Sequence, residues 1–178
     1  MKRKDTGDSI KECIANALVR LLRERPLEQI SIQEITDVAD VGRVTYYRNF
    51  NSKEDILYYK LNRTIEAWYR QLDVRIRTDR YLLLVGFLRL ILSVRDLFEL
   101  LYKNGLSHIV LRCFSAQIGP KKEGIGLDLF EMAYVTYGLF GLTDAWIKTG
   151  MRQTPEEIGR LLFSQFAAKP QLLTGKNG

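Results

Sequence analysis

The chain has 178 residues, 46% of them hydrophobic and 27% charged, which is the balance of a soluble globular protein with room for one or two small domains and a sizeable core. The net charge of +6 favours a polyanionic partner, but residues 1–60 hold 11 Lys/Arg against 10 Asp/Glu and the excess lies beyond them, so bulk charge alone does not name that partner. The single histidine and the isolated Cys13 and Cys113 exclude a Cys/His metal cluster and predict buried thiols in a reducing compartment.

The N-terminus, MKRKDTGDS, carries no apolar signal region. Lys2, Arg3 and Lys4 form a basic arm, either a solubilising tail or a phosphate contact. The first helix is expected from Asp8 or Ser9, with Ile10, Ile14, Ala17, Leu18, Leu21 and Leu22 as its apolar stripe. It ends before Pro26, because the residue preceding a proline is pushed out of helical geometry. Ser31 and Glu34 form a capping box that opens a second helix with Ile32, Ile35, Val38 and Ala39 facing inward. Asp40-Val41-Gly42 breaks it: Asp tolerates the left-handed backbone of a tight turn, and Gly can cap the next helix. Arg43 to Asn49 follows as a third, acid-free helix. Two short helices across so short a turn predict a helix-turn-helix, whose second helix is built for the DNA major groove.

The run ADVGRVTYYRNF, Ala39 to Phe50, followed by SKEDIL, Ser52 to Leu57, resembles the DNA-binding domain of the TetR family. The family pattern there is roughly A-G-V-S, two variable residues, T, an aromatic or Leu, Y, two residues and F, then a K-E-x-L-like run. Asp40 stands where Gly is usual, and Gly42 where Ser or a similar cap is usual. The resemblance implies that Gln33, Arg43 and Val44 face base edges. Arg43 suits a bidentate guanine contact and Val44 a thymine methyl. Thr45, Tyr47, Asn49 and Lys53 match backbone-contacting positions, which fix register on phosphates. Tyr46 and Phe50 are core residues.

A fourth helix, capped by Ser52, is expected to run to about Val74 and to link a reading domain, residues 1–52, to a helical ligand-binding and dimerisation domain, residues 53–178. Arg63, Arg70 and Arg77 give it a solvated basic face. Beyond Asp79 the pattern stays helical, which makes the fold all-α. Arg80 to about Val94 is apolar almost all round and is expected to be central; interrupted by Arg89, it is too short to span a bilayer. Further helices are expected at Arg95–Lys103, Ser107–Gln117 and Leu127–Thr149, the last two separated by the loop Gly119–Gly124. The final helix opens with Thr154-Pro155-Glu156-Glu157 and buries Ile158, Leu161, Leu162, Gln165 and Phe166.

Gly138, Gly141 and Ala145 leave a smooth strip on the long helix after Leu127. The family commonly dimerises through its last two helices as a four-helix bundle. The resemblance thus implies a homodimer interface at Gly138, Gly141, Ala145, Leu161, Leu162 and Phe166. It also implies a cavity for a small apolar or aromatic effector among Trp68, Phe87, Phe98, Tyr102, Phe114, Tyr134 and Tyr137, residue types that equally make plain core. His108 is expected at the surface or as a cap.

An enzyme is not expected: there is no phosphate-cradling Gly loop and no nucleophile elbow, and capping accounts for Glu156-Glu157. No cofactor or metal is expected. The reading is a cytoplasmic, homodimeric transcriptional regulator on double-stranded operator DNA, a repressor released by its ligand and not membrane-bound. The alternatives are an activator or a partner-protein adaptor without DNA binding on the same fold.

Overall fold

The computed structural model describes residues 3–119 and 127–167; the side chains of residues 3–6, 127–128 and 165–167 lie outside that description, as do Lys2 and most of the Gly119–Gly124 loop. Among the described residues there are ten α-helices, one 3-10 turn and no strand. Helix α1 (Arg3–Leu22), α2 (Ile32–Ala39) and α3 (Arg43–Asn49) make a small head. Helix α1 begins earlier than expected. Nothing before Asp8 stops it, since Gly7 costs only about 1 kcal/mol against Ala and no proline intervenes. A 3-10 turn, Leu27–Gln29, follows Pro26 and leads into α2.

Helix α4 (Lys53–Gln71) buries Ile56, Leu57, Leu61 and Ile65 along one stripe. It packs on α1 at one end and on α8 (Ser107–Gln117) further along. Its expected extension to Val74 does not occur. The Asp73 carboxylate accepts from the Arg75 amide at 2.8 Å and opens a separate short helix, α5 (Val74–Thr78). Asp79 then accepts from Leu82 N–H at 2.9 Å and caps α6 (Arg80–Ser93). Two closely spaced aspartates that bind their own backbone favour caps over an uninterrupted helix.

Only part of α6 is central. Val85, Phe87, Leu88 and Ile91 are buried, whereas Leu82 is 43% exposed. Helix α7 (Arg95–Lys103) ends at Asn104, with Gly105 at φ 69° taking the left-handed position that follows. Helix α9 (Leu127–Lys148) packs on α8. Helix α10 (Pro155–Ala167), opened by the Thr154–Glu157 capping box, packs on α6. That crossing is close: a Cβ on Gly159 would lie 2.8 Å from Val85 and 2.9 Å from Tyr81. On α10, Ile158 is buried and Leu162 half-buried, but Leu161 is 56% exposed, contrary to the buried face expected for it.

One apolar cluster runs through the molecule, from Ile14 and Leu18 in α1 through Ile56 and Leu61 in α4 to Phe98, Val110 and Ile158. Cys113 lies in it, its thiol pushed up to about 12 by burial against the opposing pull of Arg112. Cys13 is exposed rather than buried, because it falls on the solvent side of α1, next to the buried Ile14.

Candidate nucleic-acid interface

The capping box of α2 is complete. Glu34 N–H donates to Ser31 Oγ at 3.2 Å, and Ser31 N–H donates to Glu34 Oε2 at 2.8 Å. The Ser31 amide, then its hydroxyl, then Arg25 hold the Glu34 carboxyl below the usual carboxylate range. Arg25 lies 2.8 Å from the same carboxylate. Asp40 ends α2 at φ 52°, ψ 48°, the left-handed conformation the turn requires. Gly42 then opens α3 in extended geometry, φ −74°, ψ 150°, with no side-chain cap. Nothing lies within 4 Å of where its Cβ would be, so a serine would fit there.

Tyr46 and Phe50, four residues apart, fix the roll of α3. Tyr46 is fully buried and Phe50 nearly so, with Phe50 edge-on to Tyr59 of α4 at 5.7 Å between ring centroids. Residues i, i+1, i+4 and i+5 on the opposite side share one helical face. Those are Arg43, Val44, Tyr47 and Arg48, all exposed, with Val44 at 64% and Tyr47 at 60%. Arg48 was not among the residues singled out from the sequence; its exposure on this face is visible only once the roll of the helix is known. Thr45 and Asn49 sit at the flank, where Asn49 Nδ2 donates to Thr45 O at 2.7 Å. Gln33, exposed on α2, donates from Nε2 to the Asp37 carboxylate at 2.5 Å, a bond that does not use its carbonyl oxygen.

Residues 14–58 match the family model described as bacterial regulatory proteins, tetR family. That stretch is a TetR-family DNA-binding domain. No curated protein matches the chain. Such a domain supports a DNA-binding transcriptional regulator, and the exposed face of its α3, with Arg43, Val44, Tyr47 and Arg48, carries no acid.

Lys53 has a role in this TetR-family head that its sequence did not disclose. Its ammonium donates to Leu27 O at 2.6 Å and to Ile30 O at 2.8 Å, the two carbonyls at the ends of the 3-10 turn. An ammonium has three donors, so one remains. His108, on α8, is at the surface as expected, 3.1 Å from Glu54 in the first turn of α4. Arg112 lies 3.2 Å from Asp55 and stacks over Tyr58 at 4.2 Å.

The aromatic residues expected to line a cavity do not form one group. Phe87 lies edge-on to Trp68 and to Phe114, with centroids at 5.7 and 5.3 Å; Phe87 and Phe114 belong to the apolar cluster that also holds Phe98, and the partly buried Trp68 packs against it. Tyr102 is half-buried, and burial, then the nearby Asp144, pushes its phenol up. Tyr134 and Tyr137 lie elsewhere, on the outward face of α9 at 65% and 62% exposure. Among the described residues no helix is long and apolar enough to cross a membrane.

Replacing Lys53 with Met should remove two charge-assisted hydrogen bonds from the turn that feeds α2. Chemical denaturation should then show a loss of about 1.5–3 kcal/mol. An unchanged denaturation midpoint would show that the ammonium is not engaged with the turn.

Proposed function

We propose that the chain is a homodimeric, sequence-specific repressor that a small apolar or aromatic ligand releases from its operator. In this reading residues 1–52 form the reading domain and residues 53–178 the ligand-binding and dimerisation domain. Arg43 takes a guanine edge in two-pronged fashion, Val44 packs on a thymine methyl and Gln33 offers its free acceptor to a base amine. Thr45, Tyr47 and Asn49 hold phosphates. Lys53 adds its third N–H to the first turn of α4, where unpaired amides also favour an anion.

The observation that carries the dimer is the outer face of α9. Phe130, Tyr134 and Tyr137 are 70%, 65% and 62% exposed, and Gly138, Gly141 and Ala145 continue the same strip. A Cβ on Gly138 or Gly141 would meet nothing within 4 Å, so packing inside the subunit does not account for either glycine. Each costs about 1 kcal/mol in a helix relative to Ala. A second copy of α9 laid on the strip accounts for both, because small residues let helices approach closely. Leu161 of α10, 56% exposed, and the half-buried Leu162 extend the surface to a four-helix interface; the expected Phe166 side chain lies outside the described residues. A two-fold pair places the two α3 helices about one DNA turn apart, roughly 34–36 Å.

The proposed ligand acts through α4, which runs from the head to Trp68. A molecule wedged among α4, α6, α7 and α8, beside Phe87, Phe98, Tyr102 and Phe114, tilts α4 and changes the separation of the heads. It does so only by binding the DNA-incompetent shape more tightly.

Arg43→Ala should cost about 1–3 kcal/mol at one base pair of a selected operator and relax specificity there. Mobility shift on matched and mismatched duplexes reads this, and unaltered discrimination would overturn the orientation proposed for α3. Gly141→Arg should separate the subunits with helical content retained, as read by sedimentation and circular dichroism. A parent that sediments as a monomer at micromolar concentration removes the dimer. For an inducing ligand, a coupling of about 1–3 kcal/mol weakens operator binding roughly 5–150-fold, and saturating operator must weaken the ligand by the same factor. Calorimetry with and without the duplex measures it; operator-tightened binding would make that compound a co-repressor.

A further inference from the structure

The peptide of Leu27 is gripped from two sides. Its carbonyl accepts from Lys53 Nζ of α4 at 2.6 Å, and its N–H donates to Asn104 Oδ1 at 2.9 Å. Asn104 is 77 residues away in sequence, at the end of α7. Its own amide is fixed, since Nδ2 donates to Leu100 O at 2.8 Å.

That second bond is ordinary helix capping, the satisfaction of a terminal carbonyl. The first is not. Asn104 has φ −94° and ψ 10°, and Gly105 beyond it takes the left-handed position, so backbone conformation does not call for an asparagine. Its oxygen instead reaches out of α7 to the turn that feeds α2. The Leu27 side chain is itself buried, which leaves its peptide little freedom to drift.

Other ties between the C-terminal helices and the head side are more exposed. The Arg23–Asp96 pair spans 3.6 Å, and both side chains are more than half exposed. His108–Glu54 is likewise open to solvent. Exposed ion pairs are screened and contribute little. The neutral Leu27–Asn104 bond is half-buried, directional and insensitive to salt.

We infer that Asn104 is a positioning residue for DNA reading: through the Leu27 peptide it sets the angle at which each head carries α3. A displacement of the α7–α8 corner moves Asn104, Asn104 moves Leu27, and the turn moves α2 and α3 with it. The inference rests on the proposed dimer that reads two half-sites. Without the Asn104 acceptor, a head keeps its apolar packing and its Lys53 bracket but loses the polar anchor that fixes its angle. Each α3 still fits one groove, while the pair no longer matches two grooves at one defined separation.

The test uses the full chain, its selected operator, duplexes with the half-sites moved closer or farther by one or two base pairs, and a single half-site duplex. Asn104→Ala should weaken the full operator roughly tenfold, as for one lost hydrogen bond. It should also flatten the spacing preference and leave half-site affinity unchanged. Asn104→Asp, which retains the acceptor oxygen, should keep the spacing preference of the parent. An Asn104→Ala variant with the parent's spacing profile overturns the inference, as does one that weakens full and half-site duplexes alike, the mark of a merely structural role. If Asn104→Ala does not fold, hydrogen exchange in the parent decides. Protection of the Leu27 amide should rise on the full operator and not on the half-site, and equal protection on both overturns the inference. A parent that binds full and half-site duplexes equally removes the dimer reading and this inference together, whereas a parent with a clear preference isolates Asn104.

Discussion

Burial of Tyr46 is the constraint on which the proposed reading surface depends. A seven-residue helix is far too short to hold itself in water, so α3 exists because tertiary contacts fix it. Tyr46 is fully buried, and Phe50, one turn on, seats against Tyr59 of α4. With those two rings inward, the helical repeat leaves no choice about what faces out. Arg43, Val44, Tyr47 and Arg48 are presented together because the opposite face is anchored. The absence of a side-chain cap at Gly42 is tolerable for the same reason, since the buried rings hold the helix that a capping hydroxyl would otherwise help to hold.

The head gains little from bulk electrostatics, with 11 basic residues against 10 acidic over residues 1–60. Several of those charges are tied up within it. Glu34 serves the α2 cap, the Asp55 carboxylate faces Arg112 while its backbone N–H donates to the Ser52 hydroxyl, and Lys53 brackets the 3-10 turn. DNA binding on such a surface must draw on shaped contacts at α3 more than on a broad positive field.

Local signals in the sequence carried well into the structure. The capping boxes at Ser31 and Thr154, the left-handed Asp40 and the stop at Asn104-Gly105 all rest on neighbours within four residues, and each is found as expected. The Asp73 cap is local as well, an aspartate two residues before the amide that it accepts from. What was not legible depends on distant neighbours. The Lys53 bracket spans 26 and 23 residues and the Asn104 bond 77, and no spacing rule announces a side chain that binds a remote peptide. Helix α9 failed for a different reason. It is apolar on most sides, so periodicity could not separate Tyr134 and Tyr137, which face out, from Thr136 and Thr143, which are buried. Exposed Cys13 likewise shows that a thiol's place follows the helix face it falls on rather than its chemistry.

The apolar cluster is continuous from α1 to α10, and α4 contributes to it on both sides of its length. The head therefore has no separate core that could melt while the rest stays folded. The molecule should behave as one cooperative unit, in which stabilisation gained anywhere along α4 is shared with the reading helix. A molecule bound among the distal helices would then raise the melting temperature of α3 without touching it, even while it lowers the affinity of α3 for DNA. For the proposed ligand, thermal stability and operator affinity are thus separate readouts, free to move in opposite directions.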